Sequence, residues 1–418
     1  MAENFYRVEN TIHEADNLGV GAIEDALPAH RRRIEPWLSA IFQSEHLNVL
    51  LGSGFSTGLA YAAGQPSLSM DRVSIDPAFD DNINAAADRD AKTMGRGQAN
   101  VEDQFRSAIA LAAGLAVQDD TRSNSFTSNL SSAVAKFATG VVEMERGIES
   151  ACAADAARRI EFERLLSGFL LSFASRTASR DRLHVFTTNY DRVIEHGFDL
   201  IGARAIDRFV GALTPRFRAS RFDVDVHYSP PGGRGDARPL EGVVRMTKLH
   251  GSVDWASRRG QIVRLAIPFG AAEHAFRSEE GAELMIFPNS AKDIETAFYP
   301  YADLFRDFSA AICRPNSALV TYGYGFGDEH VNRVLRDMLT LPSTHLVVIS
   351  YDSAAGRIEK FVRDSGRQAQ VSLIVGPHLA RLDRLVDHFL PKPAIDTITE
   401  RQAGLLERRG RSREAEGA

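Results

Sequence analysis

The sequence predicts a doubly wound α/β fold, a mostly parallel sheet with helices on both faces, carrying a helical insertion. Short apolar runs at 46–51, 183–187, 243–249, 317–321, 345–350 and 371–375 read as buried strands. Helix-patterned segments alternate with them, the order that builds parallel sheets. The first four runs end in loops rich in Gly, Asn, His and Asp, where doubly wound sheets bind ligands.

Composition sets the outer limits. With 418 residues, 44% apolar and 25% charged, the chain has material for a large core, and bulk disorder is excluded. A net charge of −6 excludes a global basic field that would draw it to nucleic acid or membrane. Two cysteines, Cys152 and Cys313, make neither a disulfide framework nor a four-cysteine zinc site. The N-terminus lacks the basic-then-apolar order of a signal peptide. The most apolar run, 165–174, is broken by Ser167, Gly168 and Ser172 and falls short of the ~20 residues of a bilayer span. The expectation is a soluble, cytoplasmic protein with no metal.

The elements follow in order. Residues 31–43 carry a helical stripe of Ile34, Trp37, Leu38, Ile41 and Phe42, with Pro36 expected near the first turn. The run 46–51 closes abruptly on Gly52-Ser53-Gly54-Phe55-Ser56-Thr57-Gly58, a buried strand entering a glycine turn. Residues 64–100 lack periodicity and read as a long, partly irregular surface insertion. Residues 101–118 form a helix, with Asn100 as N-cap and Asp103 at the capping-box position. A second helix, 158–176, is apolar around its axis and is expected to be buried between neighbours. The run 183–187 leads into Thr188-Asn189-Tyr190-Asp191 and a short helix. Residues 222–228 alternate, and 243–249 runs into His250-Gly251-Ser252. The run 317–321 leads into Gly323-Tyr324-Gly325-Phe326-Gly327 and a helix from Asp328. Residues 1–60 and 181–395 are expected to form the domain that carries the parallel sheet and 61–180 the helical insertion. The charged tail, 396–418, is expected to be frayed or an oligomer arm.

Several residue groups are weighed as sites. The 52–58 turn would leave backbone N–H groups at a helix N-terminus, which suits phosphate. Its Gly-x-Gly-x-x-x-Gly spacing is one residue longer than the dinucleotide fingerprint, and a tight structural turn is the alternative. His184, His227, His274, His330 and His345 show no metal-ligand spacing. Glu102 and Asp103 read as electrostatic complements of a helix start rather than a catalytic pair. The clusters Arg31–Arg33 and Arg408, Arg409, Arg411 and Arg413 read as solvated faces, so nucleic acid is expected only indirectly or weakly.

Four motifs in one order, Gly52-Ser53-Gly54-Phe55-Ser56, Thr187-Thr188-Asn189-Tyr190-Asp191, Lys248-Leu249-His250-Gly251-Ser252 and Gly323-Tyr324-Gly325-Phe326-Gly327-Asp328, resemble the sirtuin superfamily of NAD-consuming proteins. The resemblance runs from about Leu47 to Asp328 and implies a Rossmann-like fold. It implies Asn189 and His250 as catalytic, and NAD+ held by Gly52, Ser53, Gly54, Phe55, Ser56, Thr188, Asp191, Gly323, Tyr324, Gly325 and Asp328. An Asn side chain offers donor and acceptor together, fit to orient water or ribose hydroxyls. An imidazole titrates near neutrality, as proton exchange with those hydroxyls requires. Asp191 matches the residue gripping the nicotinamide carboxamide, with a helix cap as its other reading. The departures are instructive. The four zinc cysteines are missing, Gly58-Leu59-Ala60-Tyr61 replaces the Pro-Asp-Phe-Arg segment, and Thr188 replaces a Gln, so no zinc ribbon is expected.

The chain is more similar to the bacterial sirtuin-like NAD hydrolases of antiphage defence. That resemblance implies cleavage of NAD+ to nicotinamide and ADP-ribose by the effector of an abortive-infection system. It also implies a homo-oligomer with a separate sensor, such as a hexameric HerA-type ATPase of the DNA-translocase class or a short Argonaute. The alternatives are a non-catalytic module binding NAD or ADP-ribose and, against the missing cysteines, an NAD-dependent protein deacylase.

Overall fold

A hairpin opens the chain, β1 (Phe5–Val8) and β2 (Thr11–Glu14), turning through Asn10 at φ +65°. The computed structural model describes residues 3–8, 10–15, 23–93, 99–174, 181–221, 224–228, 238–272, 283–286 and 299–392. The expected tail, 396–418, lies outside the described residues. Helix α1 (Ile23–Phe42) precedes β3 (His46–Leu51) and α2 (Ser53–Ala62). Four helices follow: α3 (Asp80–Thr93), α4 (Val101–Val117), α5 (Ser123–Ala154) and α6 (Ala156–Ala174).

The chain then returns to the sheet with β4 (His184–Thr187), α7 (Val193–Ile201) and β5 (Arg204–Ile206). Short strands come next: β6 (Phe209–Val210), β7 (Arg216–Phe217), β8 (His227–Tyr228) and β9 (Arg238–Pro239). They are followed by β10 (Val243–Lys248), β11 (Gly251–Arg258), β12 (Gln261–Arg264) and β13 (Glu283–Ile286). The remainder alternates: α8 (Tyr301–Ile312), β14 (Ser317–Tyr322), α9 (Glu329–Met338), β15 (His345–Ser350), α10 (Arg357–Ser365) and β16 (Val371–Val375).

Among the described residues the central sheet has nine strands, in the order β2-β1-β16-β15-β14-β3-β4-β10-β5. From β16 to β5 every pairing is parallel, and the β1–β2 hairpin closes one edge antiparallel. The chain builds outward from β3 through β4, then returns to lay β14 along the other side of β3. The strand order reverses between β3 and β14, and the crevice beyond their carboxyl ends is the ligand position of such sheets. This is a Rossmann-like α/β fold.

Both faces are covered, so the parallel strands are buried runs rather than alternating ones. On one face Leu47, Val49, Leu51, Val320 and Val347 pack with α1, α2 and α6 through Ile34, Phe55, Leu59 and Phe169. On the other, Leu50, Leu319, Leu346 and Val348 meet Phe308 of α8, Leu335 of α9 and Phe361 of α10. A separate core joins α3, α4 and α5 through Ile83, Phe105, Phe126 and Val141, and it reaches Tyr190 and Val253 beside the crevice. A second sheet, β13-β11-β12-β7-β6, lies beyond β10.

Three expectations need correction. Helix α1 begins at Ile23, so Pro36 stands mid-helix rather than in a first turn. It is tolerated there because Pro36 is exposed, as is Arg32, whose carbonyl loses its partner. The segment 64–100 contains α3, whose buried stripe of Ile83, Ala87 and Ala91 is hidden in the sequence by small residues among Asp and Asn. The alternation at 222–228 yields only the two-residue β8 within the described residues. The Asn100–Asp103 capping box forms as expected.

One packing detail sets a pH response. His345 is largely buried, its Nε2 2.9 Å from Ser372 Oγ, which accepts from Trp37 Nε1 at 2.9 Å. A neutral imidazole with Nε2 unprotonated accepts the Ser372 proton in this arrangement. Burial, with Arg7 nearby, pushes the His345 pKa from 6.5 down to about 4. The resulting stability is complete above pH 6.5 and is lost as pH falls toward 4, about 3 kcal/mol in all. Urea midpoints should drop less for His345→Gln than for wild type across that window, with a residual slope from fully buried His184. Equal drops would remove His345 as the source.

Candidate functional site

The crevice begins where two glycine loops meet backbone to backbone. Gly52 N donates to Tyr322 O at 3.0 Å, and Gly54 N donates to Gly323 O at 3.1 Å. A Cβ on Gly52 would sit 2.4 Å from Gly323 O, and one on Gly54 would sit 2.7 Å from Gly323 Cα. Gly323 itself holds φ +63°, which favours glycine. Phe55 N turns back to Gly52 O at 3.0 Å, and its ring lies in the core 4.9 Å from Phe169. Gly54, Phe55 and Gly323 thus stand behind the cavity wall, while Gly52, Ser53, Ser56 and Thr57 line it.

Asn189 stands across from this turn, after β4. The Thr187 hydroxyl donates to Leu51 O at 2.9 Å and accepts from Asn189 N at 3.0 Å, which fixes the backbone. Asn189 Nδ2 donates to Gly52 O at 3.0 Å and to Ser56 Oγ at 2.9 Å. Because a carbonyl only accepts, the amide orientation is determined by chemistry. Asn189 Oδ1 accepts no hydrogen bond among the described residues, and the residue lines the cavity. Ser56 passes its own proton to Asp191 Oδ2 at 2.7 Å, while Asp191 Oδ1 accepts from Val193 N at 3.2 Å at the start of α7. Buried Lys248 donates to the Asp191 carbonyl and to Glu195 Oε1, pinning this loop from below.

His250 follows β10, and its Nε2 lies 2.8 Å from Asp328 Oδ2. A carboxylate only accepts, so Nε2 carries a proton. Asp328 Oδ1 accepts from His330 N at 2.9 Å and so caps α9 while orienting the imidazole. Tyr324 OH reaches Asp328 O and Asn332 Oδ1, each at 3.0 Å. Thr188, Asn189, Asp191, His250, Tyr324, Gly325 and Asp328 all line one cavity of about 290 Å³ with the α2 turn.

Sequence reasoning missed the rest of the wall. Leu68, Met70, Asn100, Glu102 and Met144 come from the segment between α2 and β4 and cover the crevice. Tyr190 OH donates to Glu102 Oε1 at 3.0 Å, and burial together with that carboxylate pushes the phenol pKa well above its usual value. Arg357, at the start of α10, also lines the cavity and donates from Nε to Gly325 O at 2.6 Å. Glu102 had a visible signal, an acid beside a helix cap, but local spacing gave it only an electrostatic reading. Arg357 had none, since its place depends on β15 lying next to β14.

Residues 183–369 match the family model of the SIR2-like domain. Over that stretch the chain is SIR2-like. Asn189, His250, the 323–328 loop and Arg357 fall within the matched residues of that domain, whereas the 52–58 turn precedes them. No curated protein matches the chain. SIR2-like domains use NAD+, and the lining suits such a ligand. Ser53 stands in the N-terminal turn of α2, which carries no acidic residue of its own, Thr57 follows in the next turn, and Arg357 adds a cation. Asn189 Oδ1 and the His250–Asp328 pair supply the acceptor and proton carrier that ribose hydroxyls need. Among the described residues, no group of three or more His, Cys, Asp or Glu is placed to hold a metal ion, and no helix is long and apolar enough to cross a membrane.

Proposed function

We propose that the SIR2-like cavity hydrolyses NAD+ to nicotinamide and ADP-ribose. The observation that carries this reading is Asn189 Oδ1, a determined acceptor with no partner among the described residues, in one cavity with the Asp328-oriented His250. The ligand's cationic ring nitrogen is a good leaving group, so the chain must position rather than force the bond. Asn189 Oδ1 orients water or a ribose hydroxyl, and His250 exchanges a proton with a ribose hydroxyl. The α2 turn and Arg357 hold the phosphates. Unrestrained NAD+ loss would halt the cell that makes the protein. We therefore place it as a cytoplasmic, homo-oligomeric effector of antiphage defence, controlled by a separate sensor, an ATPase of the DNA-translocase class or a short Argonaute.

A second reading, a module that binds NAD or ADP-ribose without cleaving it, is favoured by the structural use of Asn189, which links Gly52 to Ser56. Nicotinamide release by purified protein decides between them, alone and with lysate from infected cells. Asn189→Ala and His250→Ala should each lower release by about 10²-fold or more. Melting temperatures measured alongside keep a folding defect apart from a chemical one. NAD+ that binds but stays intact in both settings would leave the binding module in its place.

A further inference from the structure

Among the described residues four carboxylates line the cavity, and three are committed. Asp103 receives Asn100 N at one oxygen and Arg106 Nη2 at the other. Asp191 is held by Ser56 and Val193 N. Asp328 is shared between His250 and the α9 cap. Glu102 differs, since Tyr190 OH fixes its Oε1 while Oε2 accepts no hydrogen bond among the described residues. Tyr190 directly follows Asn189 and its ring lies 6.2 Å from that of His250. The same phenol therefore ties Glu102 to the two residues that flank the reacting position.

We propose that Glu102 is the base that takes the proton of the hydrolytic water, a role that rests on the hydrolase reading above. A bond forms between the water oxygen and the anomeric carbon of the nicotinamide ribose. The bond from that carbon to the ring nitrogen breaks, and its electron pair stays on nicotinamide. The water's proton passes to Glu102 Oε2 and then to solvent, leaving ADP-ribose. Asn189 has an amide and cannot take that proton, and His250 is occupied with the ribose hydroxyls. The helical segment between α2 and β4 thus supplies a reacting group as well as cover.

The test uses the full chain under whichever setting gives wild-type turnover. Glu102→Gln keeps an acceptor for Tyr190 and should bind NAD+ within about threefold of wild type while kcat falls by about 10²–10⁴-fold. In Glu102→Ala, added azide, an anion that needs no base, should restore nicotinamide release and yield the 1-azido derivative of ADP-ribose by mass spectrometry. Wild type should gain nothing from azide. A Glu102→Gln protein with wild-type kcat, or one losing NAD+ binding and melting temperature together, overturns the role and leaves the hydrolase reading standing. So does a Glu102→Ala protein that azide does not revive. A wild type that leaves NAD+ intact in both settings overturns both.

Discussion

Gly52→Ala is expected to cost more than about 3 kcal/mol of folding stability and to abolish ligand binding. The added Cβ would lie 2.4 Å from Gly323 O, 2.7 Å from Tyr324 Cα and 2.9 Å from Gly323 C. All three are backbone atoms, so no side chain can swing away. Relief requires the carboxyl ends of β3 and β14 to part, breaking the Gly52 N–Tyr322 O and Gly54 N–Gly323 O bonds that close the crevice. Gly58, in the same sequence motif, is the control. A Cβ there meets the Leu382 side chain at 3.3 Å, and alanine favours the interior of α2, so Gly58→Ala should change stability by about 1 kcal/mol or less. Urea unfolding of the two variants reads the contrast directly. Equal stability for both would mean that the glycine loops do not need their close approach.

Strands β1, β2 and β5 were not anticipated, β2 and β5 being short and largely exposed, whereas β3, β4, β10, β14, β15 and β16 were legible because each is buried and reads as a mainly apolar run. The loops after them were legible because polar and glycine residues stop those runs abruptly. The meaning of the 52–58 glycines was less so. Phosphate binding and tight turning demand the same residues, and only the position of Gly323 shows that Gly52 and Gly54 admit another backbone. The segment between α2 and β4 was hardest. The buried positions of α3 are Ile83, Ala87 and Ala91, and alanine gives almost no hydrophobic contrast. Helix α5, from Ser123 to Ala154, was not anticipated, because Ser, Thr and Asn dilute its Phe126, Leu130, Phe137 and Val141 stripe. The second sheet is built from strands as short as two residues, below what alternation can signal. Glu102 illustrates the general limit. Its neighbours in sequence make it a helix-start acid, and its partner in space, Tyr190, makes it part of the cavity that Asn189 also lines.

Arg192→Met is expected to destabilise the chain by about 3–5 kcal/mol at pH near 8, with a deficit that shrinks on acidification. Arg192 and Glu145 are a buried pair whose side chains are 7% and 0% exposed. Glu145 Oε1 accepts Arg192 N at 2.7 Å and Oε2 accepts Nη2 at 2.5 Å, while Arg192 also donates to the carbonyls of Ile267 and Pro268. The pair therefore pins α5 to the residue that opens α7, three positions after Asn189. Burial already pushes the Glu145 carboxyl up from 4.5 to about 7 against the pull of Arg192. Its folded pKa exceeds its unfolded one, so its contribution is fully present below pH 4.5 and is lost as pH rises through about 7. Removing the cation raises the folded value further, and the variant recovers as the carboxyl takes a proton. Glu145→Leu with Arg192→Met should restore much of the loss at all pH values, because it leaves no buried charge unmatched. Urea midpoints at about pH 8 and pH 5.5 test both claims. A deficit independent of pH would show that Arg192 acts through the Ile267 and Pro268 carbonyls, not through Glu145.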